Sequence, residues 1–329
     1  MANQPKPRSG AWRAATTVAA LAVAAWGMAA YIYVGTNGAS AESQPRFRDI
    51  ETILVVPQDG EWATLKVSFF MFDDGTGNFD QAAEAARIEF MERFPGSFEV
   101  APGSVTAAYV ASGFKWMSGS ASWSYNGDGE PANVAGAALS AMASAAGTWN
   151  AQGANFQFSG GGATTAGTGA CGGGTDGQNT VGWAPQSGSV LAVTCSWFQN
   201  QGNPFKPAVE FDMQFDPDWN WTLGSPTQVD LESVALHEFG HALGLNHSGD
   251  GSAVMFASYS SGTQKRTPNA DDVQGLFAIY GQAGGAPEPT ATPTQAVPTQ
   301  QPTATPTQGN GGGSPPPPPP PFETPTPFP

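Results

Sequence analysis

Apolar and polar positions change period several times between Phe114 and Gly281, and each change predicts an element. Residues 114–126 alternate with a period of two and predict a strand. Residues 131–152 place Val134, Leu139, Met142 and Trp149 at helical spacing. Strands follow at 154–160, 179–185, 189–198 and 208–216, while the Gly/Thr-rich stretch 159–177 lacks periodicity and predicts a long surface loop. A helix capped by Asp230 or Thr227 runs through Leu231 and Val234 and stops at Gly244. A last helix, 269–281, begins at Asn269 with Asp271 and Asp272 in its first turn, where acids favour the helix dipole. This order predicts a mixed α+β domain of about 170 residues, a usual size for one core.

Upstream the pattern is shorter. The apolar run 63–72 predicts a buried strand, and 79–94 carries Ala86, Phe90 and Phe94 at helical spacing, with Gly75 and Gly77 turning the chain between them. Residues 42–111 therefore read as a small α/β segment, a pro-region or accessory subdomain, without recognisable chemistry of its own.

Composition sets the two ends apart. Lys6, Arg8 and Arg13 precede an apolar run from about Ala14 to Val34, which closes on the small residues Ala39-Ser40-Ala41. Residues 1–41 thus have the layout of a secretory signal peptide, and the run is also long enough to serve as an uncleaved anchor. Either way the remainder is expected to be secreted or held at the cell surface. The formal net charge is −15, and residues 1–41 contribute only positive charge to it, so the exported part is still more acidic. That argues against nucleic acid or an anionic membrane as a partner, leaving a membrane only through the anchor. At the other end, 283–329 holds 16 of the 29 prolines and is expected to be a disordered Pro/Thr/Gly-rich spacer. The domain divisions are 1–41, 42–111, 112–282 and 283–329.

All three histidines of the chain fall in HEFGHALGLNH, 237–247. His237 and His241 lie four apart, on one face of a helix. With His247 they make three imidazole ligands and an open fourth position, the arrangement of a catalytic rather than a structural zinc. Glu238, between them, is placed to act as general base. The full HExxHxxGxxH spacing is much harder to reach by chance than HExxH alone. Cys171 and Cys195 are an even count in an exported chain, which suggests a disulfide; two free thiols are the other reading.

These motifs resemble those of the matrixin-type metzincins, secreted zinc endopeptidases related to the matrix metalloproteinases. The resemblance spans about 112–282. His237, Glu238, His241, Gly244 and His247 match the zinc motif residue by residue, and Met255 matches the methionine of the turn beneath the metal. Tyr259 falls on the wall of the primed-side pocket, and 271–281 looks like the family's last helix. VLAVT (190–194) looks like the edge strand over the cleft, so the resemblance implies that Leu191, Ala192 and Val193 bind an extended peptide. It implies a metzincin-like fold: a twisted mixed sheet with an active-site helix and a C-terminal helix.

The departures are informative. Gln214 stands where the relatives have a histidine ligand of a second zinc, which implies one catalytic Zn²⁺ only. Asp216 matches a calcium ligand, but Trp219 replaces its acidic companion, so a Ca²⁺ site is reduced at best. No cysteine precedes Cys171, so latency through the family's pro-region cysteine is ruled out. The expectation is a monomeric, secreted zinc endopeptidase with Glu238 as base. The alternative is an exported cell-surface binding protein whose metalloprotease domain is inactive or only self-processing.

Overall fold

The computed structural model describes residues 46–284 apart from 59–60, 101–110, 203, 225–228 and 261. The expected leader, nearly all of the proline-rich tail and Thr227 lie outside the described residues. The chain enters on β1 (Arg46–Gln58), β2 (Glu61–Asp73), α1 (Phe79–Glu92) and a short β3 (Phe98–Glu99). It continues through β4 (Phe114–Lys115), β5 (Ser120–Tyr125), α2 (Ala138–Asn150), β6 (Gln157–Ala163), β7 (Thr180–Trp183), β8 (Val190–Phe198) and β9 (Lys206–Phe215). It ends with β10 (Trp221–Thr222), β11 (Val229–Asp230), α3 (Leu231–Ala242), β12 (Ser258–Ser260) and α4 (Ala270–Tyr280).

One mixed sheet runs in the order β12-β1-β2-β8-β9-β7-β5-β6. Strands β5, β6, β7 and β9 pair in parallel, whereas β9, β8, β2, β1 and β12 pair antiparallel. The α+β architecture matches the expectation. The segment 42–111 does not stand apart from it, because the β1–β2 hairpin extends the same sheet. Strand β8 is consequently interior, flanked by β2 and β9, and not the edge that its sequence suggested.

The hairpin serves two cores because successive side chains point to opposite faces. On one face Leu54, Val56, Leu65, Val67, Phe69 and Met71 pack with Phe79, Phe90 and Phe94 around α1. On the other, Phe47 and Phe70 join the larger core around α2 and α3. Within that core the small residues Ala138, Ala141, Ala145 and Ala146 of α2 let it lie close to α3. The last carbonyls of α3 are satisfied by side chains: Trp116 Nε1 donates to Ala242 O at 2.8 Å and Tyr280 Oη to Leu243 O at 2.8 Å. Gly244 then turns the chain with φ +94, and a Cβ there would meet Phe114 O at 2.5 Å. Among the described residues no helix is long and apolar enough to cross a membrane.

Cys171 and Cys195 form a disulfide that ties the glycine-rich loop to β8. Beside it, Asp212 accepts from Ala170 N at 2.8 Å and Thr180 N at 2.7 Å. Burial nonetheless pushes its carboxyl up to about 8. Replacing both cysteines by serine should lower the unfolding free energy by about 3.5 kcal/mol, the loop-closure value for this span. Urea melts of the two chains measure it, and coincident midpoints would refute it. The raised Asp212 carboxyl has a defined sign. Its contribution is complete below the unfolded value near 4 and is lost as pH rises through about 8. Denaturation at pH 5 and pH 8.5 should show that decline, and Asp212→Asn should reduce it.

Candidate metal centre

Helix α3 is positioned at its start by Asp230, which accepts from Ser233 N at 3.0 Å and pairs with Arg266. Burial would raise that carboxyl, but Arg266 and Ser233 hold it below its ordinary value. On the inner face of α3, His237 and His241 bring their Nε2 atoms within 3.0 Å of each other. His247 arrives from the turn after Gly244. One oxygen lies against all three: Asp49 Oδ2 is 2.9 Å from His237 Nε2, 2.7 Å from His241 Nε2 and 2.8 Å from His247 Nε2. These four residues are the one group among the described residues whose ligand atoms converge well enough to hold a metal ion.

The donor set fits such an ion. His237 Nδ1 donates to Val254 O at 2.7 Å and His241 Nδ1 to Leu245 O at 3.0 Å. With their protons on Nδ1, both rings turn Nε2 lone pairs inward, onto each other and onto a carboxylate oxygen. Burial pushes His241 down to about 4, with Lys66 adding to the effect, so this ring is neutral. Lone pairs packed this closely repel unless a proton on His247 or a metal ion lies among them. The separations of 2.7–3.0 Å lie a few tenths of an ångström inside the roughly 3.3 Å between ligands bound at 2.0–2.1 Å in a tetrahedron, so a small outward shift of the four groups would admit one small ion.

Glu238 is fully buried, and Thr194 Oγ1 donates to its Oε2 at 2.5 Å, while Oε1 has no partner. Burial raises its carboxyl well above the ordinary value, the charge of Asp49 raises it further, and the Thr194 hydrogen bond opposes both. The methionine turn is held from α4. Asp272, in a capping box with Asn269, accepts from Val254 N at 2.8 Å and Met255 N at 3.0 Å. Met255 packs against Gly240, between the two histidine-bearing turns, where any Cβ would collide with its sulfur. Tyr259 donates to Val254 O and meets the His237 ring edge-on at 5.6 Å.

Two outcomes depart from the sequence expectations. Residues 42–110 do carry chemistry, because Asp49 in β1 reaches the histidines. Leu191, Ala192 and Val193 do not face an open edge: Ala192 pairs with Phe70 and Val193 with Phe69 of β2. Tyr259 lies in a pocket already lined by Phe47 and Phe70, together with Val229, Ser233 and Val234. Thr194 and Asp272 are further residues missed as site components. The first lay within a stretch read only for its backbone, and the second was read as a dipole partner. The side chain of Gln214 donates to Thr168 Oγ1 at 2.9 Å and accepts from Gln186 at 3.0 Å, tying the glycine-rich loop to β9.

Comparison with known proteins agrees with this geometry over part of the chain. A family model described as matrixin matches residues 198–281. Matrix metalloproteinase-16 of Homo sapiens is 40% identical over 127 residues, covering 33% of this chain and 20% of the relative. Matrix metalloproteinase-27 of Homo sapiens is 43% identical over 93 residues, 28% of this chain and 17% of the relative. Matrilysin of Homo sapiens is 40% identical over 72 residues, 22% of this chain and 27% of the relative. The match thus spans about a fifth of the length of the first relatives.

Removing the Asp272 carboxylate leaves two buried N–H groups of the methionine turn unpaired. Asp272→Ala should therefore destabilise the fold by roughly 2–4 kcal/mol. Chemical denaturation would test this, and a loss below about 1 kcal/mol would show that the turn does not depend on Asp272.

Proposed function

From a chain whose residues 198–281 match the matrixins and whose three histidines converge on one point, we propose a zinc-dependent endopeptidase. The observation that carries this is the pair of imidazoles anchored through Nδ1, with Nε2 turned inward beside the buried Glu238. His237, His241 and His247 would hold the ion. When bound, zinc supplies Lewis acidity, drawing the pKa of water towards about 7 and stabilising negative charge on the scissile carbonyl oxygen. Glu238 takes the proton from the attacking water at its free Oε1 and returns it to the leaving amine. Thr194 orients that carboxylate through Oε2. Met255 and Asp272 hold the floor beneath the imidazoles, and Tyr259 walls the pocket that receives an apolar side chain after the scissile bond.

The substrate class is an extended polypeptide, and the main chain of Leu191, Ala192 and Val193 can hold it only where β2 gives up its pairing with β8. One metal ion suffices, since Gln214 already ties its loop by hydrogen bonds. Export, to the medium or the cell surface, stays an inference from residues 1–41. The reading of an inactive binding domain draws no support from the site, where Glu238 and all three histidines are in place.

Purified protein should contain close to one zinc per chain, and Glu238→Gln should retain that zinc and the fold. Its chelator-sensitive hydrolysis of casein, however slow in the resting chain, should fall at least 100-fold. Undiminished hydrolysis would end the general-base assignment, and two zinc ions per chain would contradict the role given to Gln214.

A further inference from the structure

The β1–β2 hairpin meets the site at three places that a peptide substrate would need. The first is main chain. Strand β2 runs antiparallel along β8 from Thr64 opposite Phe198 to Phe70 opposite Ala192, and so takes the pairing positions of an added substrate strand. The second is the pocket. Phe70 is fully buried, meets Tyr259 edge-on at 5.4 Å and His237 at 5.5 Å, and stacks with Phe47 at 6.0 Å. Between these rings and the Tyr259 wall a cavity of about 10 Å³ is left, at the lower limit for one water. The third is the ligand cluster itself. Asp49, opposite Phe70 in the hairpin register, places Oδ2 on all three imidazoles while Ser68 Oγ donates to its two oxygens at 2.6 and 2.7 Å.

The hairpin is also fastened beside the cluster. Lys66, 2% exposed, pairs with Glu51 at 2.7 Å. It also donates to Ser112 Oγ at 2.9 Å, Asn246 Oδ1 at 2.6 Å and Leu245 O at 3.2 Å, and so bridges β2 to the turn that carries His247.

We propose that the β1–β2 hairpin is a built-in inhibitor whose Asp49 is the fourth protein ligand of the metal. The inference rests on the zinc endopeptidase reading. Three imidazoles leave one coordination position for chemistry, and a carboxylate in that position closes the site. Phe70 and β2 fill the space on either side, so in this conformation neither water nor peptide reaches Glu238. The device works without a cysteine, which explains how a chain with none before Cys171 can be held inactive.

The test uses the full-length chain loaded with Co²⁺, whose visible absorption reports coordination, and acetohydroxamate as the probe for an open position. The native spectrum should respond weakly, and Asp49→Ala should bind the probe at least tenfold more tightly. Asp49→Asn keeps the size of the side chain and an acceptor for Ser68, and should bind at least threefold more tightly than the native chain. It decides the matter if the alanine variant does not fold. An equal response of native and variant chains would overturn the proposal. Casein hydrolysis distinguishes the two levels of inference: Asp49→Ala should raise it at least tenfold, and adding Glu238→Gln should abolish the gain. A variant that opens to acetohydroxamate yet cleaves nothing would retain Asp49 as the ligand and sink the endopeptidase reading. Equal probe binding with equal, Glu238-dependent cleavage would do the reverse.

Discussion

Four electron-pair donors from two distant parts of the chain share one small, largely buried volume. His237 and His241 have spent their Nδ1 protons on backbone carbonyls, and the nearest sources of positive charge are Lys66, 3.3 Å from His241 Nδ1, and a protonated His247 against Asp49. Buried charge and lone pairs of like sign are tolerated only where they are paired or bind metal. Much of the surrounding structure secures this convergence. Asp230 and the aromatic N–H and O–H donors fix the two ends of α3, Asp272 fixes the methionine turn, and the sheet register delivers Asp49.

The same convergence links elements that would otherwise look independent. Strand β1 is fastened to β2, β2 to β8, and β8 carries Thr194, which holds Glu238. Access to the site and the geometry of its base therefore depend on one ladder of backbone hydrogen bonds.

How much of this was legible in the sequence follows from distance along the chain. His237, Glu238, His241 and His247 lie within eleven residues on a helix and its exit turn; spacing places His237 and His241 on one face, and the short separation keeps the other two close by. Met255 and Tyr259 became readable through the family resemblance, and the α+β order came from the changes of period. Asp49 did not, because it lies 188 residues from His237 and reaches it only through strand register. Each face of the hairpin meets a different core, so RFRDIETILVV shows no single polar side that would mark an acid as functional. The polar residues Lys66 and Ser68 within the apolar run 63–72 were the available sign, since a fully buried strand has little reason to carry them. Strand β8 misled for the opposite reason: its sequence resembles an edge, and edge status depends on which strand arrives beside it.

The two-sided burial of the hairpin bears on solubility. Val190, Val193, Cys195 and Trp197 of β8 share their core with Leu65, Val67, Phe69 and Met71 of β2. Withdrawing the hairpin would uncover an unpaired, apolar strand as well as a catalytic cleft, and such edges recruit other chains. A freed catalytic domain would thus tend to associate with itself or with unfolded polypeptide along β8. The surface that the proposed opening would offer to a substrate is the same surface that would make the domain aggregate.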